Sequence, residues 1–253
     1  MIKNYFIKLW EIIKNAFIFS NKTFKEYTLK IWGTILIQIG TLTPVLSIIN
    51  QNDITSLSLV EKAILILGFI VFIFSFFFMY RLVFDLASFA FDKEKLSNKK
   101  IIFSLLTLGL LNLIPFIVFQ ILIAIALNVP NSAQILSIVS SVFSIIFYFL
   151  LCLSIASIVF WQDKKNIIAI LKSIKVVFKK THYALPLFSI IFIIASLILF
   201  LIMTAVTLIN FYTNIFTNST MNTIQTVANV YTLYLISGFY IGIQSEILKS
   251  SNQ

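Results

Sequence analysis

The sequence predicts an all-α polytopic membrane protein, with six transmembrane helices and amphipathic helices on the cytoplasmic membrane surface. Of the 253 residues, 60% are hydrophobic and 11% are charged, whereas about 25% of the residues of a soluble domain are charged. The mean hydropathy is +1.02. A soluble fold of this size could not bury that much apolar surface, which excludes the soluble globular class. A disulfide-stabilised fold is also excluded, because Cys152 is the only cysteine in the sequence and one cysteine cannot form an intrachain disulfide.

Six stretches of the chain are long and apolar enough to be spans, since a spanning helix needs about 20 mainly apolar residues. The sixth contains Gln225 and Asn229 and is the least apolar. Together with the surface segments, these spans predict a single integral membrane domain over residues 1–253. The predicted spans are 29–49, 63–84, 101–127, 133–161, 184–211 and 223–243.

Lysine and arginine predict the orientation of the spans. Six basic residues lie before or at the start of the first span, and five lie between the end of the second span and the start of the third. Six lie between the fourth and fifth spans, and one lies in the tail. Lys62 is the only basic residue on the other side. Because cytoplasmic loops carry the excess of Lys and Arg, both termini are predicted to be cytoplasmic. The richness in Ile, Phe, Asn and Lys suggests a bacterial source, and hence the cytoplasmic membrane.

Two lysine-rich segments, 1–27 and 163–182, predict amphipathic helices on the membrane surface. In the first, apolar residues that include Phe6, Trp10 and Phe17 recur at helical spacing, with lysines on the opposite face. In the second, a single apolar face is predicted, made of Ile167, Ile170, Leu171, Ile174, Val177 and Phe178. Such helices lie in the membrane interface, and each lysine near an anionic leaflet contributes about 1 kcal/mol of attraction. The lysines of the second segment either only set the topology or form a cytoplasmic docking surface for anionic lipid or a protein partner. They are Lys164, Lys165, Lys172, Lys175 and Lys179.

The two surface segments also resemble each other, which indicates an internal repeat. Ile12-Ile13-Lys14-Asn15 aligns with Ile170-Leu171-Lys172-Ser173 at a shift of 158 positions. Each segment precedes a pair of predicted spans, and residues 92–103 stand in the same place before spans three and four. We therefore expect three units, each made of an amphipathic segment and a helical hairpin.

Polar residues within the spans form a candidate polar or ion-pair site. Arg81 and Asp85 lie at i and i+4 and so share a helix face; they predict either a structural ion pair or a site for a ligand or headgroup. Asn112 and Gln120 share a face of span three, on either side of Pro115. Because amides avoid lipid, we expect both to face the bundle interior, either for packing or along a polar pathway.

Small residues in the later spans favour close helix approach. Gly238 and Gly242 form a GxxxG pattern in span six, which does not say whether the partner helix is internal or belongs to another copy. Span four carries a stripe of serines, at Ser137, Ser140, Ser141, Ser144, Ser154 and Ser157.

Three stretches resemble a loose group of bacterial membrane proteins. They read LWEIIKNAFIFSNKTFKEY, FDLASFAFDKEKLSNKKIIFSLL and FWQDKKNIIAILKSIKVVFKKTHYAL. The group includes the membrane domain that precedes the catalytic domain of some glycerophosphodiester phosphodiesterases, and stand-alone six-span proteins of unknown function. Asp163, Lys172, Ser173 and Lys180 occupy its pattern after span four. The resemblance implies a six-span fold rather than an activity.

The sequence predicts no enzyme, cofactor, metal site or nucleic-acid partner. His182 is the only histidine, at the entry of span five, and the six glycines match no phosphate-binding loop. The leading expectation is a non-enzymatic protein that handles lipid or amphiphile or scaffolds an envelope complex. The alternative is the permease subunit of an ABC-type exporter that works with a separate ATPase, for which 97–103 is a candidate coupling helix. An intramembrane enzyme would need a cluster of ionisable groups, which only Arg81 and Asp85 approach.

Overall fold

The computed structural model describes residues 2–51, 58–126, 139, 142–143, 145–147, 149–213, 221 and 236–251. Within these ranges the chain forms helices joined by turns and short irregular connections and contains no strand, so the prediction of an all-α protein is confirmed. The helices are α1 (Ile2–Gln51), α2 (Leu59–Ala90), α3 (Asn98–Ala126), α4 (Ser154–Phe160), α5 (Asn166–Lys179), α6 (Thr181–Thr213) and α7 (Ser237–Lys249).

Helices α2 and α6, of 32 and 33 residues, are long and apolar enough to cross a membrane. They cover the predicted spans 63–84 and 184–211. The first parts of the predicted spans 133–161 and 223–243, and most of the serine stripe, lie outside the described residues. The six-span arrangement and the threefold repeat stay predictions.

Helix α1 is one continuous helix of 50 residues where the sequence predicts a surface helix followed by a separate span. Its length is about 75 Å at the usual rise per residue. The predicted boundary near residue 28 rests on a change from lysine-rich to apolar sequence. That change does not interrupt backbone hydrogen bonding, and neither glycine nor proline occurs between Ile2 and Trp32, so the helix continues.

Side chains define both ends of α2. At its start the Glu61 carboxylate accepts hydrogen bonds from the backbone N–H of Ser58 at 2.8 Å and from its hydroxyl at 2.6 Å, which forms a capping box. At its end Asp92 has φ of 53°, and the backbone N–H of Lys93 donates to the carbonyl of Ser88 at 2.9 Å. The helix therefore ends in a Schellman motif, with Asp92 in the left-handed position. Aspartate is one of the few residue types other than glycine that adopt this backbone conformation.

The predicted span 133–161 is interrupted by a turn at 151–153, after which the short helix α4 begins. The break leaves the first N–H groups of α4 without intrahelical acceptors. One of them, on Ala156, donates to Oε1 of Gln244 in α7 at 3.2 Å. Gln244 is fully buried, so a side chain from a distant part of the sequence caps this internal helix start.

The chain forms two compact units. Unit 1 comprises Met1–Ile13, Ala87–Phe188 and Ile243–Gln253, and unit 2 comprises Lys14–Leu86 and Ser189–Gly242. The core of unit 1 is aliphatic, with Leu153, Ile170 and Leu248 among its fully buried side chains, and α5 packs on α4 and on α3. The prediction of a single membrane domain stays a prediction.

Unit 2 contains the GxxxG segment of α7, packed against α1. A Cβ added to Gly242 would lie 2.9 Å from the Cα of Ala16, and one added to Gly238 would lie 3.0 Å from Oγ1 of Thr23. The glycines therefore allow the two backbones to approach closely, as the pattern predicts. In the described part of the chain the partner of this motif is internal.

Candidate functional site

Helix α5 has three distinct faces. Ala169, Ile170, Ser173, Val176 and Val177 are buried against the protein. A second face, a third of a turn away, exposes the apolar side chains of Ile167, Leu171 and Phe178. The third face carries Lys172, Lys175 and Lys179, all exposed. We call the second face the apolar strip of α5 and the third face its lysine strip.

The single apolar face predicted for this segment is thus divided in two. The sequence groups Ile170 and Val177 with Ile167, Leu171 and Phe178, but the first two are buried and the last three are exposed. One third of the helix packs on α3 and α4, and the apolar residues next to that contact remain on the surface. Such exposed apolar side chains beside lysines are typical of helices in a membrane interface.

The beginning of α1 is organised in the same way. Ile12 and Ala16 are buried, at 5% and 0% exposure, whereas Phe6, Trp10 and Phe17 are 60%, 66% and 67% exposed. Lysines that include Lys8, Lys14 and Lys22 are exposed on the remaining surface. The predicted aromatic face is therefore present, and the face that packs on the protein is a different one beside it.

A pocket of about 490 Å³ lies between the start of α3 and the connection from α4 to α5. Two helix N-termini meet at this pocket, those of α3 and α5. Ser97 caps the first, its hydroxyl accepting from the backbone N–H of Lys100 at 3.3 Å. Lys165, the N-cap residue of the second, makes no side-chain capping hydrogen bond. The residues that line the pocket are Ser97, Lys99, Lys100, Phe103, Thr107, Lys164, Lys165, Asn166 and Ile167.

The four lysines of this pocket differ in what they contact. Lys100 is half-buried, and its ammonium donates to the backbone carbonyl of Gln162 and, at 3.5 Å, to that of Lys164. The Lys164 ammonium pairs with the Asp163 carboxylate at 2.9 Å. Lys99 and Lys165 are exposed, and among the described residues their ammonium groups have no acceptor. Lys100 therefore holds the connection in place, and the last two lysines present uncompensated charge.

In the described part of the chain, Asp163 is the acidic residue that forms an ion pair with a pocket lysine. The hydrogen bond from Lys164 lowers the pKa of the Asp163 carboxyl below its ordinary value, and the charge of Lys172 acts in the same direction. The carboxylate is thus ionised at neutral pH and neutralises part of the charge of Lys164. Within the described ranges Lys99, Lys100 and Lys165 form no ion pair, so the pocket keeps a positive balance.

The structure places the lysines predicted as a docking surface in two groups. Lys164 and Lys165 line the pocket, and the other three form the lysine strip of α5. The ammonium of Lys172 lies 5.4 Å from the ring centroid of Trp161, a cation–π distance.

The four residues predicted as a polar site are divided between the units. Arg81 is half-buried and Asp85 is buried, both in unit 2. Asn112 and Gln120 belong to unit 1 and are exposed on α3. The expectation that these two amides face the interior is wrong, because α3 packs through another face, which includes Ile101, Ser104 and the mid-helix Pro115.

Sequence reasoning missed the α3 side of the pocket. The sequence predicts other roles for the residues on this side. The lysines indicate orientation, 97–103 is a candidate coupling helix, and Phe103 and Thr107 fall in the predicted span 101–127. The signal that could have found them is local, since Ser97 followed by two lysines marks a helix N-terminus with two cations. Their partnership with residues 164–167 depends on how α3 and α5 pack.

An aromatic cluster in unit 1 joins the start of α1 to the start of α6. The Tyr5 ring stacks on that of Tyr183 with centroids 5.2 Å apart, and the Tyr5 hydroxyl donates to the backbone carbonyl of His182 at 2.5 Å. The exposed His182 side chain lies beside both rings. Among the described residues, no group of three or more His, Cys, Asp and Glu side chains could hold a metal ion.

These observations define the class of the protein as all-helical, with helices of membrane-spanning length and amphipathic helices that expose apolar strips. No family model, curated protein or solved structure matches the chain. The resemblance to the membrane domain of glycerophosphodiester phosphodiesterases stays a prediction.

Proposed function

We propose that this protein is a non-enzymatic integral membrane protein of the bacterial cytoplasmic membrane that handles lipid or another amphiphile at the cytoplasmic surface. In this proposal it has six spans in three repeats, with both termini cytoplasmic. The basic connections then lie against the anionic cytoplasmic leaflet. Helix α1 begins in the membrane interface, and the whole of α5 lies in it. The proposal includes the scaffolding of an envelope complex, in which the cytoplasmic surface of the protein would bind other proteins as well as lipid.

The observation that carries the proposal is the exposed apolar strip of α5 beside its lysine strip. A helix that only set topology would need the lysines and not the apolar strip. Ile167, Leu171 and Phe178 are exposed, and burying large apolar side chains contributes about 1.5–3 kcal/mol each. An interfacial position buries them in the acyl boundary and keeps the lysines at the headgroups.

The alternative is a permease subunit that docks a separate ATPase through its cytoplasmic segments. Of the candidate coupling helix at 97–103, residues 98–103 are the first turns of α3 rather than a separate helix. Of the described cytoplasmic segments, α5 has the form such docking requires, with 14 residues and an exposed surface. The apolar strip of α5 would then contact the partner protein instead of lipid.

Gentle purification from native membranes, followed by mass spectrometry of the co-purifying proteins and lipids, distinguishes lipid handling from the role of a permease subunit. A retained anionic lipid without a stoichiometric protein supports lipid handling. A stoichiometric ATPase would overturn it in favour of the permease subunit. Replacement of Leu171 and Phe178 by serine should weaken whichever association is found, and the same change at the exposed Leu67 and Phe74 in α2 controls for lost surface hydrophobicity.

A further inference from the structure

We propose that the pocket between the N-terminus of α3 and the α4–α5 connection binds the phosphate headgroup of an anionic membrane lipid. The inference rests on the proposed lipid-handling function and names the site and the ligand class. Its first support is the charge that lines the pocket. Four lysines surround a volume of about 490 Å³, and Asp163 offsets only one of them.

The backbone adds to this positive field. Both α3 and α5 begin at the pocket, and a helix N-terminus carries a partial positive charge and unpaired N–H groups. The side chain of Lys165, the N-cap residue of α5, makes no capping hydrogen bond. The first N–H groups of this helix belong to Asn166 and Ile167, which line the pocket. A phosphate oxygen is a suitable acceptor for such groups.

The lysines have separate roles in this site. Lys100 is a positioning residue, because its ammonium bonds the carbonyls of the connection and so brings residues 162–165 to the start of α3. Lys99 and Lys165 expose their side chains on the α3 side and the α5 side, and they are the residues that contact the phosphate. Lys164 is shared between the Asp163 carboxylate and the ligand.

The apolar lining identifies a lipid rather than a soluble phosphate ester. Phe103 and Ile167 are 54% and 44% exposed and lie in the same pocket as the lysines. Beyond Phe103, the surface of α3 continues with exposed Leu106 and Leu110, one and two turns further on. A headgroup among the lysines would therefore direct its acyl chains along an apolar helix surface, whereas a soluble phosphate would leave that surface uncovered.

The test measures lipid binding to the full-length protein in neutral detergent by native mass spectrometry, with phosphatidylglycerol and phosphatidylcholine as probes. We expect the protein to retain phosphatidylglycerol preferentially. In the double variant Lys99→Gln/Lys165→Gln the affinity for phosphatidylglycerol should fall by about 10- to 30-fold, the loss expected for two lysines at an anionic headgroup. The double variant Lys175→Gln/Lys179→Gln loses the same charge from the lysine strip of α5, outside the pocket. Neutral detergent presents no anionic leaflet for that strip to meet, so this variant should stay within about threefold of the parent.

A variant of opposite sign makes the test independent of folding defects. Asp163→Asn removes the counter-charge of Lys164, so it should raise the affinity for phosphatidylglycerol by a few-fold. A loss of folding could not raise affinity. Equal losses in the two lysine pairs, or no increase with Asp163→Asn, would overturn the pocket as the site and leave lipid handling intact.

Two further outcomes distinguish a lipid from a soluble phosphate, and a failure of the proposed site from a failure of the lipid-handling function. Glycerol phosphate at millimolar concentration should not displace phosphatidylglycerol, because it cannot cover Phe103 and Ile167. Displacement would assign the pocket to a soluble phosphate and overturn the lipid. If the unmodified protein shows no preference for phosphatidylglycerol over phosphatidylcholine, the site proposal and the lipid-handling function both fail, whereas a preference that survives Lys99→Gln/Lys165→Gln refutes the site alone.

Discussion

Gly242 offers the sharpest test of how the helices of unit 2 pack. In Gly242→Ala the new Cβ would stand 2.9 Å from the Cα of Ala16, 3.1 Å from its Cβ and 3.2 Å from its carbonyl oxygen. Ordinary contacts of a Cβ begin at 3.4 Å, so α7 and α1 must separate by about 0.5 Å. The closest atom is backbone, which cannot move aside by a change of rotamer.

We expect Gly242→Ala to lower the free energy of unfolding by about 1–2 kcal/mol. Overpacking of a tight contact costs about 1–3 kcal/mol, and a rigid backbone obstacle places this site in the upper part of that range. The intrinsic preference of a helix for alanine over glycine returns about 1 kcal/mol. Unfolding of the purified protein in mixed micelles, as the fraction of denaturing detergent rises, measures the change through tryptophan fluorescence.

Gly109 in α3 provides the matched control. A Cβ added there meets nothing within 4 Å, so Gly109→Ala should keep only the helix preference and raise stability by up to about 1 kcal/mol. Ala16→Gly in the Gly242→Ala background should restore stability only in part, because it removes the 3.1 Å contact and leaves the 2.9 Å one. The packing argument would be refuted if Gly242→Ala proved as stable as Gly109→Ala.

Three further predictions concern polar groups. Arg81→Ala and Asp85→Ala should each destabilise the protein, and the double variant should cost less than their sum by at least about 0.5 kcal/mol; strict additivity in detergent unfolding would show that the two side chains are not coupled. Gln244→Leu should cost about 1–2 kcal/mol, because it leaves the buried Ala156 N–H without an acceptor, and an unchanged melting temperature would contradict the capping role. Since the Asp163 carboxyl has a lowered pKa, its pair with the neighbouring lysine is complete above about pH 4 and is lost only as the pH falls further. Retention of a phosphodiester lipid should therefore be constant from about pH 8 to 5 and increase below about pH 4; a change near pH 6 would point to another group.

Local signals predict the helical periodicity of the lysine-rich segments and the packing motif well. The helix at 163–182, the aromatic face with Phe6, Trp10 and Phe17, and the close approach at Gly238 and Gly242 all depend on residue spacing along one helix. Such spacing can be read from the chain without knowledge of its neighbours.

Signals that depend on a neighbouring helix were predicted less well. Polarity predicts that Asn112 and Gln120 face inward. They are exposed, because α3 packs through the face that includes Ile101, Ser104 and Pro115. Phe103 and Lys99 were not connected with Ile167, because more than 60 residues separate them in sequence. A pocket that two helix N-termini share exists only once those helices are packed.

The sequence by itself determined the all-helical class, the length and apolarity of α2 and α6, and the positions of the lysine-rich helices. Composition and periodicity act along the chain, so they constrain each helix separately. Tertiary structure alone decided which third of α1 and α5 is buried. It also decided that Gln244 caps the start of α4 and that Lys100 brings residues 162–165 to α3. Each of these depends on a contact between residues far apart in sequence, and only the packing of helices selects one such contact among the many that the same residues could make.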